Sequence, residues 1–145
     1  MGDKAERDQA EYNRLVADKS RAQSDYQQCE NRIEDCEYLL SRLYKAKGTI
    51  SGLKSSFKVI KNIDKNTGKE SYDWKGSNKS TFDSYMDTLN GVNDTYYKGS
   101  LDYVLDQLNN EITRLENKKM SEYGLLGKLG SLLNSLGNKI ENFFN

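Results

Sequence analysis

An alternating spacing of three and four residues between apolar or small side chains constrains the fold of this chain most. The pattern runs from Tyr12 to Ile50, which is more than five heptads, and predicts a long helix that packs along one stripe. One seam position holds Tyr12, Lys19, Tyr26, Ile33, Leu40 and Lys47, and the other holds Leu15, Ala22, Cys29, Cys36, Leu43 and Ile50. The two lysines and two tyrosines keep polar tips in water. Such a seam favours packing in a heteromer over a self-sufficient zipper.

A second helical pattern fills the later half of the chain. Its apolar face begins with Phe82, Tyr85, Met86, Leu89, Val92 and Tyr96, and continues after a change of phase with Leu101, Val104, Leu105, Leu108, Ile112 and Leu115. Gly91 and Gly99 bound a weak stretch in which we expect a break or kink. The chain has no proline, so helices of many turns are permitted. The sequence therefore predicts an all-α fold, an elongated antiparallel helical hairpin.

The expected boundaries divide the chain into a hairpin and an appended helix. We expect the hairpin over residues 1–122 and an amphipathic C-terminal helix over residues 123–145. Within the hairpin, the predicted parts are helix 1 over about residues 4–60, a connection over 61–79 and helix 2 over about 80–122. Inside the connection, Val59 to Ile63 and Tyr72 to Trp74 are expected to pair as a short β-hairpin around a turn at Gly68.

The C-terminal segment carries the most regular apolar stripe in the chain. Its members are Leu126, Leu129, Leu133, Leu136, Ile140 and Phe143. One interpretation is a helix that packs on a partner or back onto the hairpin. The other is a helix that lies on a membrane surface, but such helices usually carry a basic polar face. This segment offers Lys128 and Lys139 against Glu141, so membrane contact is possible but not favoured.

Composition argues against several classes of chemistry. The chain has no histidine, which excludes a Ser-His-Asp or Cys-His catalytic arrangement and a zinc site with histidine ligands. Twenty-two basic and 22 acidic residues give no net charge, and we expect no nucleic-acid partner. The carboxylates lie mostly off the seam and alternate with basic residues, which is typical of solvated helix faces. We expect no enzyme activity, no cofactor and no metal.

The two cysteines and the N-terminus bear on the compartment. On one helix, Cys29 and Cys36 would lie roughly 10 Å apart along the axis, which is too far for a disulfide. We interpret both as buried small residues, with an intermolecular disulfide as the alternative. Residues 1–13 contain no apolar core of a secretory signal, and no window reaches the length of a membrane span. We expect a cytoplasmic protein, and co-secretion without a cleaved signal peptide stays open.

A tryptophan lies at the middle of the chain, between the two helical patterns. Trp74 is the only tryptophan and is followed two residues later by Gly76, in the run Asp73-Trp74-Lys75-Gly76. With the flanking helices, the run Phe82-Asp83-Ser84-Tyr85 and the small size, the chain resembles the WxG family of type VII secretion proteins. It is most similar to the YwqH-like branch, over roughly residues 5–120.

The resemblance implies a function in secretion without catalysis. Members are helical hairpins that bind the N-terminal LXG domain of a toxin and act as targeting factors or chaperones. A second small helical protein and the secretion ATPase are further partners that the resemblance implies. The residues expected to bind the partner or to shape the hairpin are Trp74, Gly76, Tyr26, Ile33, Leu40, Leu43, Phe82, Tyr85 and Leu89.

The chain departs from the family in one respect. Many secreted pairs carry a Tyr-x-x-x-Asp/Glu export signal after the second helix, and here the C-terminal third has none. The only match is Tyr26 with Glu30, inside the first helix, where we interpret Tyr26 as a packing residue. Either the signal lies on the partner or the chain stays in the cytosol.

Two other functions are compatible with the residues alone. The first is a structural coiled-coil adaptor, which predicts a stable homo-oligomer in which Trp74 is dispensable. The second is a membrane-active protein that inserts its C-terminal helix into lipid, which predicts vesicle binding that is lost when residues 125–145 are removed.

Overall fold

The protein is all-α, as the sequence predicts. The structure, a computed structural model, describes residues 2–67 and 77–145, and within these ranges it contains no β-strand. Its elements are α1 (Gly2–Thr67), α2 (Ser77–Asp94), a π-helix (Thr95–Leu101) and α3 (Asp102–Glu141). The chain forms two compact units, and in each of them α1 runs antiparallel to a later helix, which is the arrangement of a helical hairpin.

Unit 1 combines the part of α1 up to Leu40 with Arg114–Asn145. Tyr12 packs against Phe143, with ring centroids 5.7 Å apart, and Cys29 contacts Glu122, so the two helices are antiparallel. A buried cluster of Leu15, Ala22 and Leu136 forms part of the core, and Leu133, Ile140 and Phe143 pack against it. Burial of these apolar side chains is the main stabilising contribution to such a pair.

The heptad seam of α1 follows the prediction closely. Leu15, Ala22, Cys29, Ile33, Cys36 and Leu40 are buried, and the remaining six seam residues from Tyr12 to Ile50 are half-buried. The two seam lysines, Lys19 and Lys47, are among the half-buried residues, which fits apolar stems that lie on the partner helix.

Unit 2 comprises Ser41–Thr113 and pairs the second part of α1 with α2, the π-helix and the start of α3. Phe57 contacts Tyr96, with ring centroids 4.7 Å apart, and Lys54 forms an ion pair with Asp102. Because the partner residue number falls as the α1 number rises, this pair is also antiparallel.

The first helix is longer than predicted. It continues through residues 59–63 to Thr67, so the strand expected over Val59 to Ile63 is wrong, and its expected partner Tyr72 to Trp74 lies outside the described residues. Val59, Ile60 and Ile63 favour strands by propensity, but Leu53, Phe57 and Ile60 follow the helical spacing, and Phe57 packs on Tyr96. Packing of this kind overrides a weak local preference.

The segment expected as a separate helix over residues 123–145 is part of α3 as far as Glu141, and α3 has no boundary near residue 122. Four glycines lie in this segment, and each lowers the intrinsic stability of a helix by about 1 kcal/mol relative to alanine. Gly130 lies beside the ring of Tyr26, where a Cβ atom would stand 3.7 Å from the ring carbon Cε2. The helix persists there because its apolar stripe is packed against α1.

The π-helix lies where the sequence changes phase. The apolar spacing of α2 ends at Tyr96, and the next member of the predicted stripe, the buried Leu101, comes five residues later. A π-helix closes hydrogen bonds between residues five apart, so it absorbs the extra residue without breaking the helix. The expected break or kink is therefore a change of helix type over Thr95–Leu101.

Candidate interaction surfaces

The C-terminal apolar stripe is covered by α1. Leu136 is buried, and Leu126, Leu129, Leu133, Ile140 and Phe143 are half-buried. At the end of the stripe, Tyr12 contacts both Phe143 and Phe144, with ring centroids 5.7 and 5.1 Å apart. The stripe therefore packs back onto the first helix, which was one of the two interpretations of its pattern.

A polar cluster crosses the seam of unit 1 at Cys29. The Cys29 thiol donates to the Glu122 backbone oxygen at 3.1 Å and to its carboxylate at 3.2 Å. Arg32 Nε donates to the other carboxylate oxygen of Glu122 at 3.0 Å. Cys29 is 0% exposed, so Glu122 provides the hydrogen-bond acceptors for a fully buried thiol.

The cluster fixes the protonation states of its members. The hydrogen bond from Arg32, and then that from Cys29, hold the pKa of Glu122 below its ordinary value. Burial, followed by the hydrogen bond to the Glu122 carboxylate, raises the pKa of the Cys29 thiol. A buried thiol with a raised pKa is a poor nucleophile, so the geometry supports a structural role for Cys29.

A second polar contact closes the other edge of unit 1. The Tyr123 hydroxyl donates to Glu37 at 3.0 Å, and this hydrogen bond raises the pKa of Tyr123. Both contacts position side chains across the pair, and neither forms a pocket with convergent reactive groups.

The residues expected to bind a partner fall into three environments. Ile33 and Leu40 are buried within unit 1, and Tyr26, Leu43 and Phe82 are half-buried. Tyr85 and Leu89 are exposed on α2. Trp74 and Gly76 lie outside the described residues. The structure brings Tyr26 and Ile33 into one seam and leaves Tyr85 and Leu89 available to solvent.

Unit 2 has two different sides. On one side, Lys54 pairs with Asp102 and its ammonium lies 4.9 Å from the centre of the Tyr97 ring. The hydrogen bond to Asp102 raises the pKa of Lys54. Charged residues at helical spacing continue this edge on both helices. We call it the charged side, and its residues are Lys47, Lys54, Lys58, Asp83, Asp87, Asp94, Lys98 and Asp102.

The opposite side of unit 2 is apolar and exposed. It begins at the contact between Phe57 and Tyr96 and extends along both helices at spacings of three and four. We call it the apolar side, and its residues are Leu53, Phe57, Ile60, Tyr85, Leu89, Val92 and Tyr96. Next to it on α2 and the π-helix, Thr88, Gly91, Thr95 and Ser100 help to line an open groove of about 420 Å³.

Sequence reasoning found only part of this apolar side. Tyr85 and Leu89 were expected to contribute to binding, whereas Leu53, Val92 and Tyr96 were interpreted only as parts of helical stripes. Their spacing alone does not distinguish a buried from an exposed stripe. Residues 42–61 hold six basic residues and no acidic one, but these do not all lie on one side of the helix, so their number alone does not mark a side.

No metal or membrane element emerges from the described ranges. Residues 2–67 and 77–145 hold no group of three or more potential metal ligands. Among the helices of the same ranges, none combines the length and apolar character that crossing a bilayer requires.

A profile of the YwqH-like family matches residues 17–138. The chain belongs to the YwqH-like family. The match covers most of the heptad region of α1, all of α2 and the π-helix, and α3 into the C-terminal stripe. The matched region of this YwqH-like protein includes all of unit 2 and the larger part of unit 1. No significant match was found among curated proteins or among solved structures.

Proposed function

We propose that this YwqH-like protein is a targeting factor, or chaperone, for a toxin of the type VII secretion system. It binds the helical N-terminal LXG domain of the toxin and helps to present that domain for export. The family match supports this proposal, together with the Trp74-Lys75-Gly76 run, which is typical of WxG proteins. The proposed function is association, and it involves no catalysis and no cofactor.

One structural observation carries the proposal beyond the family. The two-helix unit exposes an apolar side along about three helical turns, and exposed apolar patches of this kind mark interaction sites. A helical partner that covers this side would remove apolar surface from water at about 25 cal/mol per Å². The proposed complex therefore has a physical driving force in the chain itself.

The membrane-active alternative has less support. Its key element is the C-terminal stripe, and that stripe packs on α1 through Leu136, Leu133 and Ile140. Insertion into lipid would require the pair to separate and to expose the buried cluster of unit 1. The self-associating adaptor is the stronger rival, because an exposed apolar side also suits a second copy.

Affinity capture tests the proposal. The tagged full-length chain is expressed in its native bacterium, and the bound proteins are identified by mass spectrometry. We expect recovery of a larger protein with an N-terminal LXG domain. Recovery of the bait alone, as a stable homo-oligomer, would contradict the proposal and favour the coiled-coil adaptor.

The role of Trp74 is tested by its alanine variant. If Trp74 belongs to the signal that the complex presents, Trp74→Ala lowers export of the captured toxin at least severalfold. Helix content by circular dichroism and recovery of the toxin from the cytosol remain unchanged. A variant that exports the toxin at the wild-type rate would remove Trp74 from the proposed signal.

A further inference from the structure

We infer that the apolar side of unit 2 binds a single helix of the partner. This helix contacts the chain through an uncharged apolar stripe. The inference rests on the proposed function and deepens it by assigning the contact surface and the chemistry of the segment that covers it.

The first argument is the distribution of charge around the two helices of unit 2. The ion pair of Lys54 with Asp102 and the contact of Phe57 with Tyr96 place charged and apolar residues on opposite sides of the pair. Between residues 46 and 60 the α1 row of the apolar side carries no charge, since Ala46, Thr49 and Ser56 complete it, and Arg42 lies one turn before this stretch. A partner surface that matches this side is therefore apolar and uncharged.

The second argument is the arrangement of α2 itself. The charged residues Asp87, Asp94 and Lys98 lie on the edge towards the lysines of α1, and the half-buried Asn90 leaves its Oδ1 atom without a hydrogen-bond partner. Tyr85, Leu89 and Val92 are exposed instead. The face of α2 and the π-helix towards α1 already holds the half-buried Phe82, Met86 and Tyr97, so the exposed row is a second apolar face that the pairing with α1 does not use. The apolar row of α2 is thus placed for an external contact.

The third argument is shape. The apolar row on α2 has the spacing 85–89–92–96, which is the four-three-four repeat of a helix seam. Beside it, Thr88, Gly91 and Thr95 form a row of small side chains that lines the open groove. Bulky and small rows in parallel are the surface into which the side-chain ridges of another helix pack. The occupant is accordingly a helix of about three turns.

The fourth argument is area, which separates one helix from a second copy of the hairpin. Six residues of the apolar side are 42–72% exposed, and together they present on the order of 500 Å². A stable dimer usually buries about 800 Å² on each partner. The side is too small to hold a second copy alone, and it suits one helix within a larger complex.

A membrane surface fits this side less well than a helix does. Anionic lipid requires basic residues beside the apolar stripe, and here Lys54, Lys58 and Lys98 lie on the charged side. The lipid surface and the second copy are therefore outcomes to be distinguished by the experiment.

Two valine variants provide a matched test. Val92 is 61% exposed on the apolar side, and Val59 is 58% exposed on the surface of α1 that faces away from α2. Val92→Arg and Val59→Arg introduce the same charge at equal exposure. The full-length variants and the wild-type chain are titrated with the recombinant LXG domain of the toxin that affinity capture identifies. Leu89→Ala, which adds no charge, replaces Val92→Arg if the arginine lowers helix content.

The expected result is that Val92→Arg weakens binding of the LXG domain at least tenfold, while Val59→Arg binds within twofold of the wild type. If all three chains bind equally, the assigned surface is wrong although the proposed function stands. If the wild-type chain does not bind the LXG domain, the proposed function fails and this inference fails with it.

Two further outcomes would overturn the assignment by revealing another occupant. In the first, light scattering shows a wild-type homodimer that Val92→Arg dissociates. In the second, the wild-type chain sediments with phosphatidylglycerol vesicles and Val92→Arg does not.

Discussion

At the scale of single residues, one carboxylate connects the polar groups that cross the seam of unit 1. Glu122 accepts hydrogen bonds from Arg32 and from the thiol of Cys29, so one side chain compensates both a cation and a buried sulfur. Cys29 and Cys36 are both buried and free, which agrees with their interpretation as small seam residues. Substitution of Arg32 or Cys29 would remove a hydrogen bond that the Glu122 carboxylate accepts.

The cluster predicts a pH dependence of stability. Because its folded-state pKa lies below the ordinary 4.5, ionised Glu122 stabilises the fold above that pH, and the contribution is lost as the pH falls through the lowered pKa. The difference in free energy of unfolding between wild type and Glu122→Gln should be constant above about pH 5.5 and should shrink below pH 4.5.

Urea denaturation at a series of pH values measures this difference. Glu34→Gln, which removes an exposed carboxylate of α1 outside the cluster, provides the baseline. A difference between wild type and Glu122→Gln that does not change with pH would show that the ionised carboxylate contributes nothing.

At the scale of elements, the packing of α3 on α1 accounts for the order of its glycine-rich end. Leu136 belongs to the buried cluster at 7% exposure, whereas Leu132, one turn earlier, is 46% exposed. Leu136→Ala should lower the free energy of unfolding by about 2–4 kcal/mol through lost burial and a cavity. Leu132→Ala should lower it by less than about 1 kcal/mol. Equal effects in urea denaturation would mean that the stripe does not pack on α1.

The π-helix gives a second prediction at this scale. Deletion of Gly99 removes the extra residue between Tyr96 and Leu101, so an α-helix can continue with both apolar rows in place. We expect this variant to keep its helix content, with a thermal midpoint within about 4 °C of the wild type.

Deletion of Asn110 is the matched control. Asn110 is also exposed, but it lies inside α3 between the half-buried Leu108 and the buried Ile112. Its loss rotates the side chains before it by about 100° around the helix axis relative to those after it. We expect the midpoint to fall by about 10 °C or more. If both deletions are equally harmful, the π-helix has a role other than absorbing one residue.

At the scale of the whole molecule, much of the fold was predictable from periodicity. The twelve heptad positions of α1 and the C-terminal stripe are buried or half-buried. These positions were predictable because a 3.5-residue repeat can be recognised in the sequence before the partner helix is known. The length of α1 was not predictable, because β-branched Val59 and Ile60 favour a strand and only the contact of Phe57 with Tyr96 reverses that preference.

The candidate surface was only half predictable for a related reason. Tyr85 and Leu89 appear in the sequence as members of an inward stripe, and the five-residue step at the π-helix decides where that stripe points. The sidedness of unit 2 depends on the ion pair of Lys54 with Asp102 and on the contact of Phe57 with Tyr96, which are tertiary contacts. Sequence spacing identifies which residues share a helical row, but it does not show whether that row faces the paired helix or the solvent.

The central claim is that this chain functions by holding a helical toxin domain. The most direct test is the molar mass, measured by light scattering during gel filtration, of the chain co-expressed with the recombinant LXG domain of the toxin that affinity capture identifies. The account predicts one peak that contains both proteins, and a largely monomeric chain when it is expressed alone. Separate elution of the two proteins, with the chain as a stable homo-oligomer, would contradict it.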